Sequence, residues 1–161
     1  MSEILRVQSK KNWYNPYQLL DTSQIRLMIM NQSIRHHVVK GIKFFNQKDF
    51  YEAHEHFECA WRMTQDDSRE LYRALLLISG GFFRLSQNKP AAAKKFFNNA
   101  LGWLEPFPDH YLNFNVSDLR AYCQILMDNI DQSTPADKII RDYFQPVKPE
   151  DHDNSVFLTE E

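Results

Sequence analysis

Glycine is scarce in this sequence, with 4 glycines in 161 residues. All-β folds need many glycine-containing turns, so this shortage favours helices. Hydrophobic residues make up 43% of the chain and include 12 phenylalanines, which is enough apolar material for one packed core. The predicted fold class is therefore all-α, a single compact bundle of about six helices arranged as helix hairpins.

Charge and hydropathy narrow the class of partner. The net charge is −2, whereas a duplex-binding domain needs a basic excess for its phosphate contacts, so no nucleic-acid partner is expected. The longest apolar run, from Ala74 to Phe83, is far shorter than the roughly 20 residues of a membrane span. Cys59 and Cys123 lack metal-type spacing. We expect a soluble, cytoplasmic protein with no membrane partner.

Capping residues and apolar periodicity divide the chain. Asp21-Thr22-Ser23, Asp49, Ser68, Pro90, Ser117 and Thr134-Pro135 are start signals. They predict helices at about 24–46, 50–63, 69–87, 90–102 and 117–130, and a short one ending at 144, with a loop near 106–115. The predicted organisation is an N-terminal surface segment (1–20), an all-α domain (21–145) and a mobile acidic C-terminal tail (146–161).

The sequence also contains a weak internal repeat, an internal echo of five residues at an offset of about forty. Each copy has the pattern helix, tight turn, helix, which is similar to tetratricopeptide-type hairpins although the period is longer. The residues Gly41, Gln47, Ala53, Phe57 and Ala60 recur as Gly81, Gln87, Ala93, Phe97 and Ala100.

The most distinctive polar stretch lies on the predicted second helix. At about 100° per residue, His54 and Glu58 fall beside an apolar stripe and should be half-buried and close to each other. The stripe itself consists of Phe50, Ala53, Phe57, Ala60 and Trp61.

This stretch, Phe50-Tyr51-Glu52-Ala53-His54-Glu55-x-x-Glu58-x-x-Trp61-Arg62, follows Gly41-Ile42-x-Phe44-Phe45-Asn46. Together they resemble the signature of the family called domain of unknown function 309 (DUF309). The resemblance covers roughly 41–104 and implies a compact all-α fold of about six helices, without implying an activity. This chain has Arg73-Ala74 where family members commonly have Gln-Gly, and Arg84 where they often have His.

Three interpretations of the polar cluster remain open. The first is a structural network in which Arg73 and Arg84 pair with acids of the second helix. The candidate cluster comprises Glu52, His54, Glu55, Glu58, Trp61, Arg62, Arg73 and Arg84. The preferred function is a non-catalytic helical binding module, because helix hairpins offer grooves and the motif contains no complete catalytic set.

The second interpretation is a divalent-metal site. His54 and Glu58 have the i, i+4 spacing that brings two ligands to one ion, with Glu55 in the place of a general base. His36, His37, Glu70 and His110 are candidates for the third ligand. A metal-dependent enzyme centred on Glu52, His54, Glu55 and Glu58 is the alternative to a binding module.

The third interpretation is a pocket for a small anionic ligand. Arg62, Arg73 and Arg84 would bind a carboxylate or phosphate, and Trp61 and Tyr51 would form apolar walls. A protein partner and a small anionic ligand are thus the two partner classes expected.

Overall fold

The computed structural model describes residues 21–149. They form six mutually packed helices and one very short β ladder, so the predicted all-α bundle is confirmed. The helices are α1 (Thr22–Asn46), α2 (Phe50–Met63), α3 (Ser68–Ser86), α4 (Pro90–Leu104), α5 (Val116–Asp131) and α6 (Ala136–Tyr143). The predicted segment 1–20 and the tail from 150 onward lie outside the described residues.

Three helix starts follow the predicted signals, since Asp21 and Asp49 cap α1 and α2 with their side chains and Pro90 is the first residue of α4. Asp21 accepts a hydrogen bond from the backbone N–H of Gln24 (2.9 Å), and the Gln24 side chain returns one to the Asp21 N–H (3.2 Å). The start of α5 differs from the prediction, because Asn115 caps it instead of Ser117. The Asn115 side chain accepts from the backbone N–H of Asp118 at 3.0 Å, which satisfies one of the donors left open at a helix N-terminus.

The internal echo corresponds to a repeated packing geometry. A Cβ atom placed on Gly41 would lie 2.6 Å from the ring of Phe57, and one placed on Gly81 would lie 2.5 Å from the ring of Phe97. In both hairpins the second helix therefore seats a phenylalanine against a glycine of the first. Both turns pass through a residue in the left-handed region, at positions 48 (φ 62°) and 88 (φ 56°).

Helices α1 to α5 each pack against the next, and α6 lies against α3 and α5. Phe82, which is fully buried, lies at the centre of the core. Its ring centroid is 4.9–5.7 Å from four other phenylalanine rings, contributed by α1, α2, α4 and the end of α6. These rings are Phe45, Phe50, Phe97 and Phe144.

The loop between α4 and α5 contains the β ladder, formed by β1 (His110–Tyr111) and β2 (Phe114–Asn115). Arg120 of α5 holds this loop by three contacts. It donates to the carbonyls of Leu104 (3.1 Å) and Phe107 (3.0 Å) and to the carboxylate of Asp109 (2.5 Å). The connection predicted as a plain loop thus has a defined shape.

Residues 146–149 fall in the predicted tail, and one of them is packed on the bundle. Val147 is buried, and its backbone N–H and C=O both bond to the Asn46 side chain, at 2.8 and 2.9 Å. The packing therefore extends past residue 145. Among residues 21–149, no helix combines the length and apolar character that crossing a bilayer demands.

Candidate functional site

His54 and Glu58 occupy the positions that helical periodicity predicts. Their side chains are 27% and 26% exposed. His54 Nδ1 lies 3.2 Å from the carbonyl oxygen of Leu76 on α3. Because that oxygen can only accept, Nδ1 carries the proton, and in the neutral ring Nε2 keeps its lone pair. His54 Nε2 lies 3.8 Å from Oε2 of Glu58.

Glu58 also pairs with Arg62 one turn further along α2, and the Arg62 side chain is 70% exposed. One potential ligand atom from each of His54, Glu55 and Glu58 lies within 4.8 Å of the others. Glu55 thus takes the place of the predicted third ligand. The residues predicted for that place, His36, His37, Glu70 and His110, do not belong to this group.

The predicted pairing of Arg73 with the acids of α2 is wrong. Its guanidinium lies 4.0 Å from the Trp103 ring centroid and 5.5 Å from that of Trp61, and its nearest acid is Glu70 at 3.7 Å. On helix α3, Arg73 points toward α4 and toward the first turn of α3, which contains Glu70. The flat guanidinium is better matched there by two indole rings than by a carboxylate of α2.

The predicted pairing of Arg84 is also wrong. Arg84 donates to the Gln87 side chain at 3.1 Å, and its guanidinium lies 5.9 Å from the Phe96 ring. Tyr51, expected as a wall of the same pocket, is exposed and packs beside Phe83 with a centroid separation of 5.6 Å. The arginines therefore do not converge on one point.

An aromatic pocket opens where α3, the end of α4 and the following loop meet. Its volume is about 370 Å³. We call it the Trp103 pocket; its lining residues are Asp67, Glu70, Trp103, Pro106, Phe107, Pro108 and Tyr111. Trp103 and Phe107 are half-buried, because their rings pack against the core and also form the pocket wall.

The Trp103 pocket has a negative electrostatic character. Burial raises the pKa of Tyr111, and the charges of Asp66 and Asp67 raise it further. Oε2 of Glu70 is buried without a hydrogen-bond partner among the described residues. The same oxygen lies 3.7 Å from the Arg73 guanidinium, so its charge is paired although it accepts no hydrogen bond.

His56 is a residue that the sequence analysis missed. Its Nδ1 atom lies 3.0 Å from Nδ1 of His37, across the interface between α1 and α2. Burial is the main cause that lowers the pKa of both rings, and the charge of His56 adds to it for His37. His37 is half-buried, whereas its neighbour His36 is exposed. Cys59 is exposed and Cys123 is buried.

Comparison with known proteins yields one family and one relative. A family model described as domain of unknown function (DUF309) matches residues 38–96. An uncharacterized protein of Aquifex aeolicus (strain VF5) is 25% identical over 92 residues, which cover 56% of this chain and 28% of that protein. The matched part is thus a little over a quarter of the relative's length. The resemblance to DUF309 is thus confirmed over residues 38–96, which are somewhat more than a third of the chain.

Proposed function

We propose that this protein is a non-catalytic helical binding module that receives a positively charged side chain of a protein partner in the Trp103 pocket. The observation that carries the proposal is one cavity of about 370 Å³ in which three aromatic rings lie beside two carboxylates. Aromatic faces and carboxylates together favour lysine, methylated lysine or arginine over neutral side chains.

The chemistry of Trp103 within the protein supports this choice of ligand. The guanidinium of Arg73 already lies 4.0 Å from the Trp103 centroid, with Glu70 at 3.7 Å. Trp103 and Glu70 thus jointly bind a cationic group, the guanidinium of Arg73, at the edge of the pocket. Arg73 balances one of the two lining acids, and Asp67 leaves the pocket with a net negative charge.

The size of the pocket supports a side chain rather than a whole metabolite. The volume is near the lower limit for small-molecule sites, which extend from roughly 300 to 1,000 Å³. Pro106 and Pro108 on the rim restrict the backbone, and Arg120 holds the loop from behind. A pocket held in shape spends little free energy on ordering when a partner binds.

Selection from a random heptapeptide phage library on the untagged full chain tests the proposal. We expect the selected peptides to contain lysine or arginine, and the double variant Asp67→Asn/Glu70→Gln to lose them. Replacing the selected cation by norleucine should raise Kd at least about tenfold, since a desolvated cation–π contact alone contributes about 2 kcal/mol. Tryptophan fluorescence follows the titration.

Asp137→Asn on α6 is the matched control, because it removes one charge from a carboxylate whose side chain is 80% exposed and far from the pocket in sequence. It should leave peptide binding unchanged. Peptides without a cation, peptides that bind the double variant as well as the wild type, or a selection that yields no binder would each contradict the proposal.

A divalent-metal site at His54, Glu55 and Glu58 is a second candidate. The hydrogen bond from His54 Nδ1 to a backbone carbonyl is the kind of contact that orients metal-binding histidines and leaves Nε2 for the ion. Arg62 pairs with Oε1 of Glu58, so Oε2, which faces Nε2 of His54, is the oxygen that would bind the ion. Metal analysis of the untagged protein tests this candidate. Melting curves of the wild type and of Glu58→Gln, each recorded with chelator and with zinc, give a second test. If zinc shifts the melting temperature of neither protein relative to chelator, or shifts both equally, the site is rejected.

A further inference from the structure

The pair formed by His37 and His56 lies outside both sites described above. It joins two different helices, with 3.0 Å between the Nδ1 atoms and 5.3 Å between the ring centroids. Phe44 stacks on His56 at 5.4 Å with an interplanar angle of 12°, so the ring is held in a defined orientation. Both imidazoles are half-buried and therefore remain reachable from solvent.

The short nitrogen–nitrogen distance sets the protonation of the pair. One Nδ1 must donate and the other must accept, so at least one ring is neutral and directs a lone pair toward the opposite helix. In a tetrahedral zinc site with Zn–N bonds of about 2.05 Å, the two nitrogens are about 3.3 Å apart. A change of a few tenths of an ångström and a small rotation of the rings would convert the hydrogen bond into a chelate.

Helical spacing places a carboxylate beside His56, and its side chain must rotate to join the two imidazoles, because among the described residues the group that already gathers three ligand atoms is His54, Glu55 and Glu58. Glu52 is one turn before His56 on α2, where i, i+4 side chains meet, and it is half-buried. The negative charges of Glu52 and Glu55 act on His56, and the charges of His36 and Lys40 oppose them.

We propose that His37 and His56, with Glu52 as the third ligand, form a binding site for a late first-row divalent cation such as Zn²⁺, Ni²⁺ or Cu²⁺, which bridges α1 and α2. Two imidazoles and one carboxylate suit these metals, whereas Mg²⁺ and Ca²⁺ prefer oxygen ligands alone. Water completes the coordination. A metal at this place ties the first hairpin together and stabilises it by mass action.

Zinc titration of the untagged full chain, in competition with a chromophoric chelator, tests the site. We expect one zinc ion to bind in the wild type. His37→Gln and His56→Gln should each raise Kd for zinc at least about tenfold, because loss of a ligand exceeds the 10- to 100-fold effect of losing an outer-shell contact. Glu52→Gln should weaken binding less than either histidine change.

His110→Gln is the matched control, since it removes an exposed imidazole on β1, outside both candidate metal sites. It should leave the zinc affinity unchanged. Glutamine can still hydrogen-bond across the interface, and circular dichroism confirms folding of each variant. The NMR shifts of the imidazole nitrogens on adding zinc give a second readout in the wild type, independent of any substitution.

The expected NMR result is a change at the Nδ1 atoms of His37 and His56. Shifts confined to His54, zinc affinity that survives both glutamine variants, or absence of any zinc binding would each overturn the proposal. A result confined to His54 would support the second candidate of the previous section, and none of these outcomes depends on peptide binding at the Trp103 pocket.

Discussion

Gly81→Ala should destabilise the protein although alanine is the better helix former. The added Cβ would lie 2.5, 2.7 and 2.9 Å from three carbons of the Phe97 ring. Carbon atoms reach optimal contact at about 3.5–4.0 Å, so the overlap is about 1 Å. Phe97 is fully buried, and its ring also packs edge-on against Phe82 with a centroid separation of 5.6 Å, so it cannot move away freely.

Two effects of opposite sign determine the magnitude. Replacing a mid-helix glycine by alanine gains about 0.5–1 kcal/mol, whereas overpacking a well-filled core costs about 1–3 kcal/mol. We therefore expect a net loss of about 1–2 kcal/mol in the free energy of unfolding. For a domain of this size, that lowers Tm by roughly 3–8 °C.

Gly102→Ala is the matched control. Gly102 also lies in a helix, but nothing is within 4 Å of a Cβ placed there, so only the favourable effect remains. We expect this variant to gain about 0.5–1 kcal/mol. Denaturant unfolding followed by circular dichroism measures both changes.

A double-mutant cycle isolates the contact itself. In a Phe97→Leu background the smaller side chain can retreat, so Gly81→Ala should cost at least about 0.5 kcal/mol less. If Gly81→Ala proves as stable as the wild type, or if both glycine variants shift in the same direction, the close packing of the second hairpin is not what we describe.

The remaining predictions concern ion pairs, the chain end and pH. Glu58→Ala should lower the free energy of unfolding in urea by less than about 1 kcal/mol, because its partner Arg62 is exposed and exposed ion pairs contribute little. A larger loss would contradict this expectation. Asn46→Ala should cost about 0.5–1.5 kcal/mol and remove the hydrogen-exchange protection of the Val147 amide, since two part-buried hydrogen bonds are lost. Unchanged exchange would refute this. The lowered pKa of His37 and His56 means that the unfolded state binds more protons, so the free energy of unfolding should fall as pH drops below 6.5 and through the lowered native values. His56→Gln should flatten that slope, and an equal slope in the variant would exclude these histidines as its cause.

Local signals were sufficient to predict most of the fold. The positions of the turns after α1 and after α3 depend only on residues close by in the sequence. They could therefore be predicted from the capping residues. The start of α5 was misplaced by a residue or two because Asn115 and Ser117 are both good caps. The preceding β ladder decides between them, and two-residue strands leave almost no sequence pattern.

Periodicity also placed His54 and Glu58, since burial on one helix depends only on the spacing along it. The partners of Arg73 and Arg84 could not be predicted in the same way. A long side chain reaches in several directions, and the choice between an acid of α2 and an indole of α4 depends on how three helices pack. His56 was missed for the same reason, because its partner is on another helix.

Arg120 lies on α5 and lines no part of the Trp103 pocket, yet its three bonds hold the loop that carries Phe107 and the neighbouring prolines. The shape of the proposed binding pocket consequently depends on a helix that a partner need not touch. Under the proposed function, replacing Arg120 would keep all of the lining residues but loosen the loop, and would therefore speed the dissociation of the partner. A change in affinity could thus originate in α5 while the aromatic lining residues stay the same.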